Sequence, residues 1–78
     1  MPILLTRIDS ATNARRFYLI AVAPTLLGDH CLIRIHGRIG VWQHTLAPIP
    51  FPTSEATHQA AHQLVQKRLK RGYQLVST

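Results

Sequence analysis

The amino-acid sequence predicts an α+β fold, a small and mainly antiparallel β-sheet of about four to five strands with one α-helix packed on one face. Two periodicities point to it. Residues 3–8, 16–23 and 31–38 are β-branched or apolar at strand spacing, whereas residues 54–71 alone repeat their apolar positions at helical spacing. A chain of 78 residues has room for one domain, 1–78, which must bury most of its aliphatic side chains in a single core.

Residues 3–8 form a first strand, and Asp9-Ser10-Ala11-Thr12-Asn13 supplies the turn chemistry that ends it. Residues 16–23 are apolar on both faces, with Phe17, Leu19 and Ala21 on one side and Tyr18, Ile20 and Val22 on the other. A strand of that kind belongs in the middle of a sheet. Pro24 ends it, and Leu27-Gly28-Asp29 reads as a turn into the third strand, 31–38. There, alternation is expected to send Cys31, Ile33 and Ile35 inward and Arg34, His36 and Arg38 outward.

Residues 41–51 make a fourth extended segment. Pro48, Pro50 and Pro52 lack the N–H groups that would serve one of its sides, so it is expected at the edge of the sheet. The helix is expected to run over 54–71, with Thr53 as N-cap and Glu55 near the positive end of its dipole. Ala56, Ala60, Ala61, Leu64, Val65 and Leu69 form its apolar stripe, opposite Gln59, Gln63, Gln66 and Lys70. Lys67, Arg68, Lys70 and Arg71 crowd its last turn, and Gly72 is the expected C-cap before a short strand at 73–76.

Nine Lys and Arg against three Asp and Glu give a net charge of +6, which favours a polyanionic partner such as nucleic acid. Arg34, His36 and Arg38 would form a row of cations about 7 Å apart, close to the phosphate repeat of an extended strand. Gly37 and Gly40 permit close backbone approach, so that a ligand would also reach main-chain N–H groups. The single cysteine, Cys31, excludes an internal disulfide and is expected to be a small buried hydrophobe. The apolar patch at the start of the chain is too short for a signal-peptide core or a membrane span, and a cytoplasmic location is expected.

Catalytic chemistry finds no support. His58 and His62 lie one helical turn apart, but Gln59 occupies the place of the glutamate in a metalloprotease helix, and no metal is expected. Asp9, Asp29 and Glu55 offer no evident carboxylate pair, and neither a nucleophile triad nor a phosphate-binding glycine loop is present. No cofactor is implied. Some candidates also have structural readings: Arg38 as an anchor for Asp29 or Glu55, Trp42 as a packing residue, and Phe17 and Tyr18 as core.

In order, Arg7-Ile8-Asp9, Asn13, Arg16-Phe17-Tyr18, His36-Gly37-Arg38-Ile39-Gly40, Thr53-Ser54-Glu55-Ala56 and Lys70-Arg71-Gly72-Tyr73 resemble the WGR domain. That small module occurs in poly(ADP-ribose) polymerases and in bacterial proteins, and the resemblance extends from Leu5 to Tyr73. It implies an antiparallel sheet with one helix and binding at DNA ends, where the family's signature tryptophan stacks on the 5′ sugar. In this chain that position is His36, whose smaller ring implies weaker end recognition, by about 1 kcal/mol or more on the scale of base–aromatic stacking. A protonated imidazole would instead contact phosphate directly. Where many relatives have another glycine after Gly40, this chain has Val41-Trp42-Gln43-His44, and Trp42 becomes the alternative stacking surface.

The function expected is thus a non-enzymatic module for DNA, or RNA, acting through Arg34, His36, Gly37, Arg38 and Trp42 with Lys67, Arg68, Lys70 and Arg71 at the helix end. DNA ends or single-stranded extensions are the expected targets. The alternative is a protein-interaction module that recruits a separately encoded enzyme. A membrane-surface role fits less well, since the outer face of the helix is mostly glutamine and histidine.

Overall fold

In the computed structural model, which describes residues 2–25 and 30–76, the chain opens with a β-hairpin. Strand β1 (Ile3–Asp9) pairs antiparallel with β2 (Ala14–Pro24), setting Leu5 opposite Tyr18 and Arg7 opposite Arg16. The connection is tight because the Asp9 carboxylate accepts a hydrogen bond from the Ala11 N–H at 3.0 Å and Asn13 adopts a left-handed φ of 54°. The turn expected at Leu27-Gly28-Asp29 lies outside the described residues.

Strand β3 (His30–Arg38) pairs with the other side of β2 along its whole length, which makes β2 central, as its two apolar faces require. The extended segment 41–51 divides in two. Strands β4 (Trp42–Thr45) and β5 (Ile49–Phe51) lie one after the other along the outer side of β3. Between them the Leu46 N–H still reaches the Arg34 carbonyl, at 3.0 Å. This is the expected edge. Strand β6 (Gln74–Leu75) pairs with β1 and closes the opposite side, giving the order β4-β3-β2-β1-β6, with β5 beside β3.

Helix α1 (Ser54–Lys70) packs on one face of this sheet. The Thr53 hydroxyl caps it by accepting from the Ala56 N–H at 3.0 Å. At the other end Arg71 is the cap residue and Gly72, with φ of 92°, follows it. The Gly72 N–H donates to the Leu69 carbonyl and the Tyr73 N–H to the Arg68 carbonyl, at 3.1 Å each, forming a Schellman motif. Its geometry turns Tyr73 back toward Arg68.

The core comprises Leu5, Tyr18, Ile20, Leu32 and Ala61, against which Ile3, Val22, Phe51, Leu64, Val65 and Tyr73 pack. Two helical positions depart from expectation. Thr57 is completely buried and tolerated there because its hydroxyl donates to the Thr53 carbonyl at 2.8 Å. Leu69 is exposed instead, since the buried stripe runs through Thr57, Ala61 and Leu64 toward Arg68.

The expected orientation of β3 is also reversed. Arg34, His36 and Arg38 do share a face, but their partners on β2 are Ile20, Tyr18 and Arg16, so this is the face that carries the helix. Cys31, Ile33 and Ile35 lie on the opposite face, although Cys31 is buried as expected. Alternation determines which side chains travel together. It does not determine which side the helix covers, and a central strand apolar on both faces leaves that choice to the packing of α1.

Candidate nucleic-acid interface

Strand register assembles the site. Across four strands, Arg7, Arg16, Arg38 and Trp42 stand directly opposite one another, and Leu5, Tyr18, His36 and His44 form the adjacent row on the same face. Directly opposed like charges repel at the short separations of cross-strand pairs. Little acid is at hand to offset them: Asp9 ends β1 and accepts from its own turn, and Glu55 lies in the first helical turn, at the other end of α1 from Arg68. Asp29 lies outside the described residues.

The aromatic groups of the second row pack into a cluster. His36 stacks parallel to Tyr18 with ring centroids 6.1 Å apart, and meets Trp42 edge-on at 5.9 Å and His44 edge-on at 5.7 Å. Tyr18 is only 3% exposed, because the Arg68 guanidinium also covers its ring at 4.1 Å. The same guanidinium lies 5.8 Å from the Tyr73 ring. An arginine held against two aromatic rings gains cation–π attraction and loses freedom of movement. Trp42 is 53% exposed, which leaves part of its indole open to an incoming ring or sugar.

Together Arg16, Tyr18, His36, Arg38, Trp42, Arg68 and Tyr73 line a half-open cleft of about 470 Å³ between the end of α1 and the β3–β4 hairpin. A cationic wall beside an aromatic one can pair with phosphates and stack on bases at once. Among the described residues no three His, Cys, Asp or Glu side chains converge in a way that could hold a metal ion.

The residues singled out from the sequence divide by position. His36, Arg38, Trp42 and Arg68 are brought together in the cleft. Arg34 is not, because it lies under the β4–β5 linker, where its Nη2 donates to the Ala47 carbonyl at 3.4 Å while its buried Nε has no partner. Lys67, Lys70 and Arg71 are exposed around the helix end without lining the cleft. Arg38 is anchored by a hydrogen bond from Nη1 to the Asn13 carbonyl at 3.1 Å rather than by Glu55. Gly37 is buried, and what approaches it is β4: a Cβ there would sit 2.1 Å from the Trp42 carbonyl oxygen.

Arg16 and Tyr73 in the cleft, and Arg7 in the row beside it, are the members that sequence reasoning passed over, whereas it places Tyr18 only in the core. For Arg7 and Arg16 the signal was present: the four-residue turn at 10–13 pairs Asp9 with Ala14, and counting outward sets the two arginines opposite each other. Tyr18 belongs to the core and the site at once, supporting the imidazole from beneath.

Comparison with known proteins agrees with the ordered motifs. The family model for the WGR domain matches residues 1–78. Protein y4dW of Sinorhizobium fredii, described as uncharacterized, is 34% identical over 67 residues, which are 86% of this chain and 32% of that protein. The chain therefore spans about a third of that relative's length. No solved structure matches it. WGR domains bind nucleic acid and are binding rather than catalytic modules.

Proposed function

The chain belongs to the WGR domain family, and we propose that it is a non-enzymatic nucleic-acid-binding module that takes DNA ends or single-stranded extensions into the cleft beside His36. The observation that carries this reading is the row Arg7, Arg16 and Arg38, three guanidinium groups in register across three strands. Such a row is held at an electrostatic cost in the free protein, and a phosphate backbone offsets that cost by replacing mutual repulsion with attraction. Arg68 supplies a fourth positive charge from the helix, oriented by Tyr18 and Tyr73.

The division of labour follows from exposure. Tyr18 is enclosed and acts as support, His36 forms the floor, and the open part of Trp42 receives the terminal sugar or base. Trp42 thereby provides the stacking area that histidine lacks at the signature position. Stacking of one base on an aromatic side chain contributes about 1–3 kcal/mol, and the arginine contacts add a salt-dependent term.

Titration of the purified protein against blunt, recessed and 5′-phosphorylated duplexes at two ionic strengths tests the proposal. With about five phosphates neutralised, log affinity is expected to fall with log salt at a slope of about −4 to −5, and more tightly bound ends distinguish end recognition from general attraction. Trp42 is the only tryptophan, so its fluorescence reports occupancy directly. A flat salt profile would overturn the reading.

A further inference from the structure

Two histidines share the face on which the arginines stand. His36 on β3 and His44 on β4 are directly opposite one another, with ring centroids 5.7 Å apart and planes at 75°. His36 is half-buried in the cleft wall, stacked on Tyr18, whereas His44 is exposed beside it on the edge strand. The function proposed above uses His36 as a flat floor and His44 not at all. Among the described residues the histidine side-chain hydrogen bonds are those between His58 and Ser54, so the ring nitrogens of His36 and His44 are left for a ligand.

The charges facing this pair have one sign. Arg16 on β2, Arg38 on β3 and Arg68 on α1 line the cleft with His36, and Arg7 on β1 continues the row of the first two. Arg34, the preceding residue on this face of β3, lies under the β4–β5 linker. Tyr18 and Tyr73 are the remaining titratable side chains there. Among the described residues no carboxylate faces the pair, since Asp9 closes the first turn and Glu55 lies at the far end of α1. In the free protein an imidazolium adds one more like charge, whereas a phosphate backbone laid across the arginines reverses the field they make.

We infer that nucleic-acid binding in the cleft takes up protons at His36 and His44, so that the site grips more tightly as pH falls through the range in which imidazole charges. Linkage requires this direction: a polyanion that favours the protonated rings is itself favoured by protonation. A neutral imidazole offers one N–H, while a protonated one offers two and a positive charge to phosphate oxygens. A proton on one ring repels a proton on the other, and a bound phosphate removes that conflict. His44 thereby becomes a phosphate contact at the rim of the cleft. The inference rests on the function proposed above and concerns the regulation of the same site.

Isothermal titration calorimetry counts the protons when the full chain is titrated in two buffers of different ionisation enthalpy at constant ionic strength. The probe is a hydroxyl-ended DNA duplex with a thymidine extension, because a terminal phosphate monoester, with a pKa of about 6, would itself titrate. The expected result is net proton uptake at pH 6.5 and an affinity about five- to tenfold higher at pH 6 than at pH 8, within the limit of about tenfold per pH unit that one coupled proton sets. His44→Gln, at an exposed position, should lower the uptake, and His36→Gln combined with His44→Gln should abolish it. His58→Gln combined with His62→Gln, outside the cleft, should leave it unchanged. Binding without proton uptake, uptake unchanged by His44→Gln, or uptake that survives the paired His36 and His44 substitutions would overturn the inference and leave the proposed function standing. No binding of the probe at either pH would overturn both.

Discussion

Arg16, Arg34 and Arg38 have the same chemistry and three different surroundings. Arg16 and Arg38 line the cleft, whereas Arg34 is tied beneath the linker to Ala47. Arg16→Ala or Arg38→Ala is therefore expected to reduce the slope of log affinity against log salt by about 1 each, measured by fluorescence titration. Arg34→Ala should leave that slope unchanged. Arg38→Ala should also lose about 0.5–1.5 kcal/mol of stability, because its hydrogen bond to the Asn13 carbonyl secures the first hairpin. Gly37 makes the strongest demand on its neighbours, since an added methyl would meet the Trp42 oxygen at 2.1 Å and the Gln43 Cα at 2.8 Å, both backbone atoms. Gly37→Ala is expected to cost about 1–3 kcal/mol in urea unfolding and to release β4, with a shift in Trp42 emission that reports the lost pairing.

At the scale of elements, the Schellman turn after α1 links the fold to the site. It turns Tyr73 back beside Arg68, so the helix end and the aromatic cluster are set by one backbone conformation. Gly72→Ala places a side-chain residue at a φ of 92° and should cost about 1–2 kcal/mol in thermal unfolding, accompanied by weaker binding as Arg68 loses its position. The start of α1, its C-terminal glycine, the central place of β2 and the edge nature of 41–51 were legible because each follows from local chemistry: a capping hydroxyl, a left-handed glycine, apolar alternation and missing donors. The interruption between β4 and β5 was not, because it arises where the Leu46–Pro48 linker arches over Arg34. Nor was the buried Thr57, whose polarity is hidden by a bond to its own helix.

For the whole molecule, the shared face of Arg34, His36 and Arg38 could be read from the sequence, but the side on which α1 lies could not. β2 is apolar in both directions, so the helix chooses between two nearly equivalent surfaces through the fit of Ala61, Leu64 and Val65 over Leu5, Tyr18 and Ile20. That choice brings His36 and Arg38 into a cleft, sets Arg34 beneath the β4–β5 linker, and recruits Arg68 and Tyr73 from parts of the chain distant in sequence. On the opposite face Leu4, Leu19, Ile33 and Ile35 are half-buried. No helix among the described residues is long and apolar enough to cross a membrane.

The segregation of cations onto one side has a geometric corollary. A polymer drawn by Arg7, Arg16, Arg38 and Arg68 approaches from the helix-bearing side, and the reverse of the sheet stays clear of what the cleft holds.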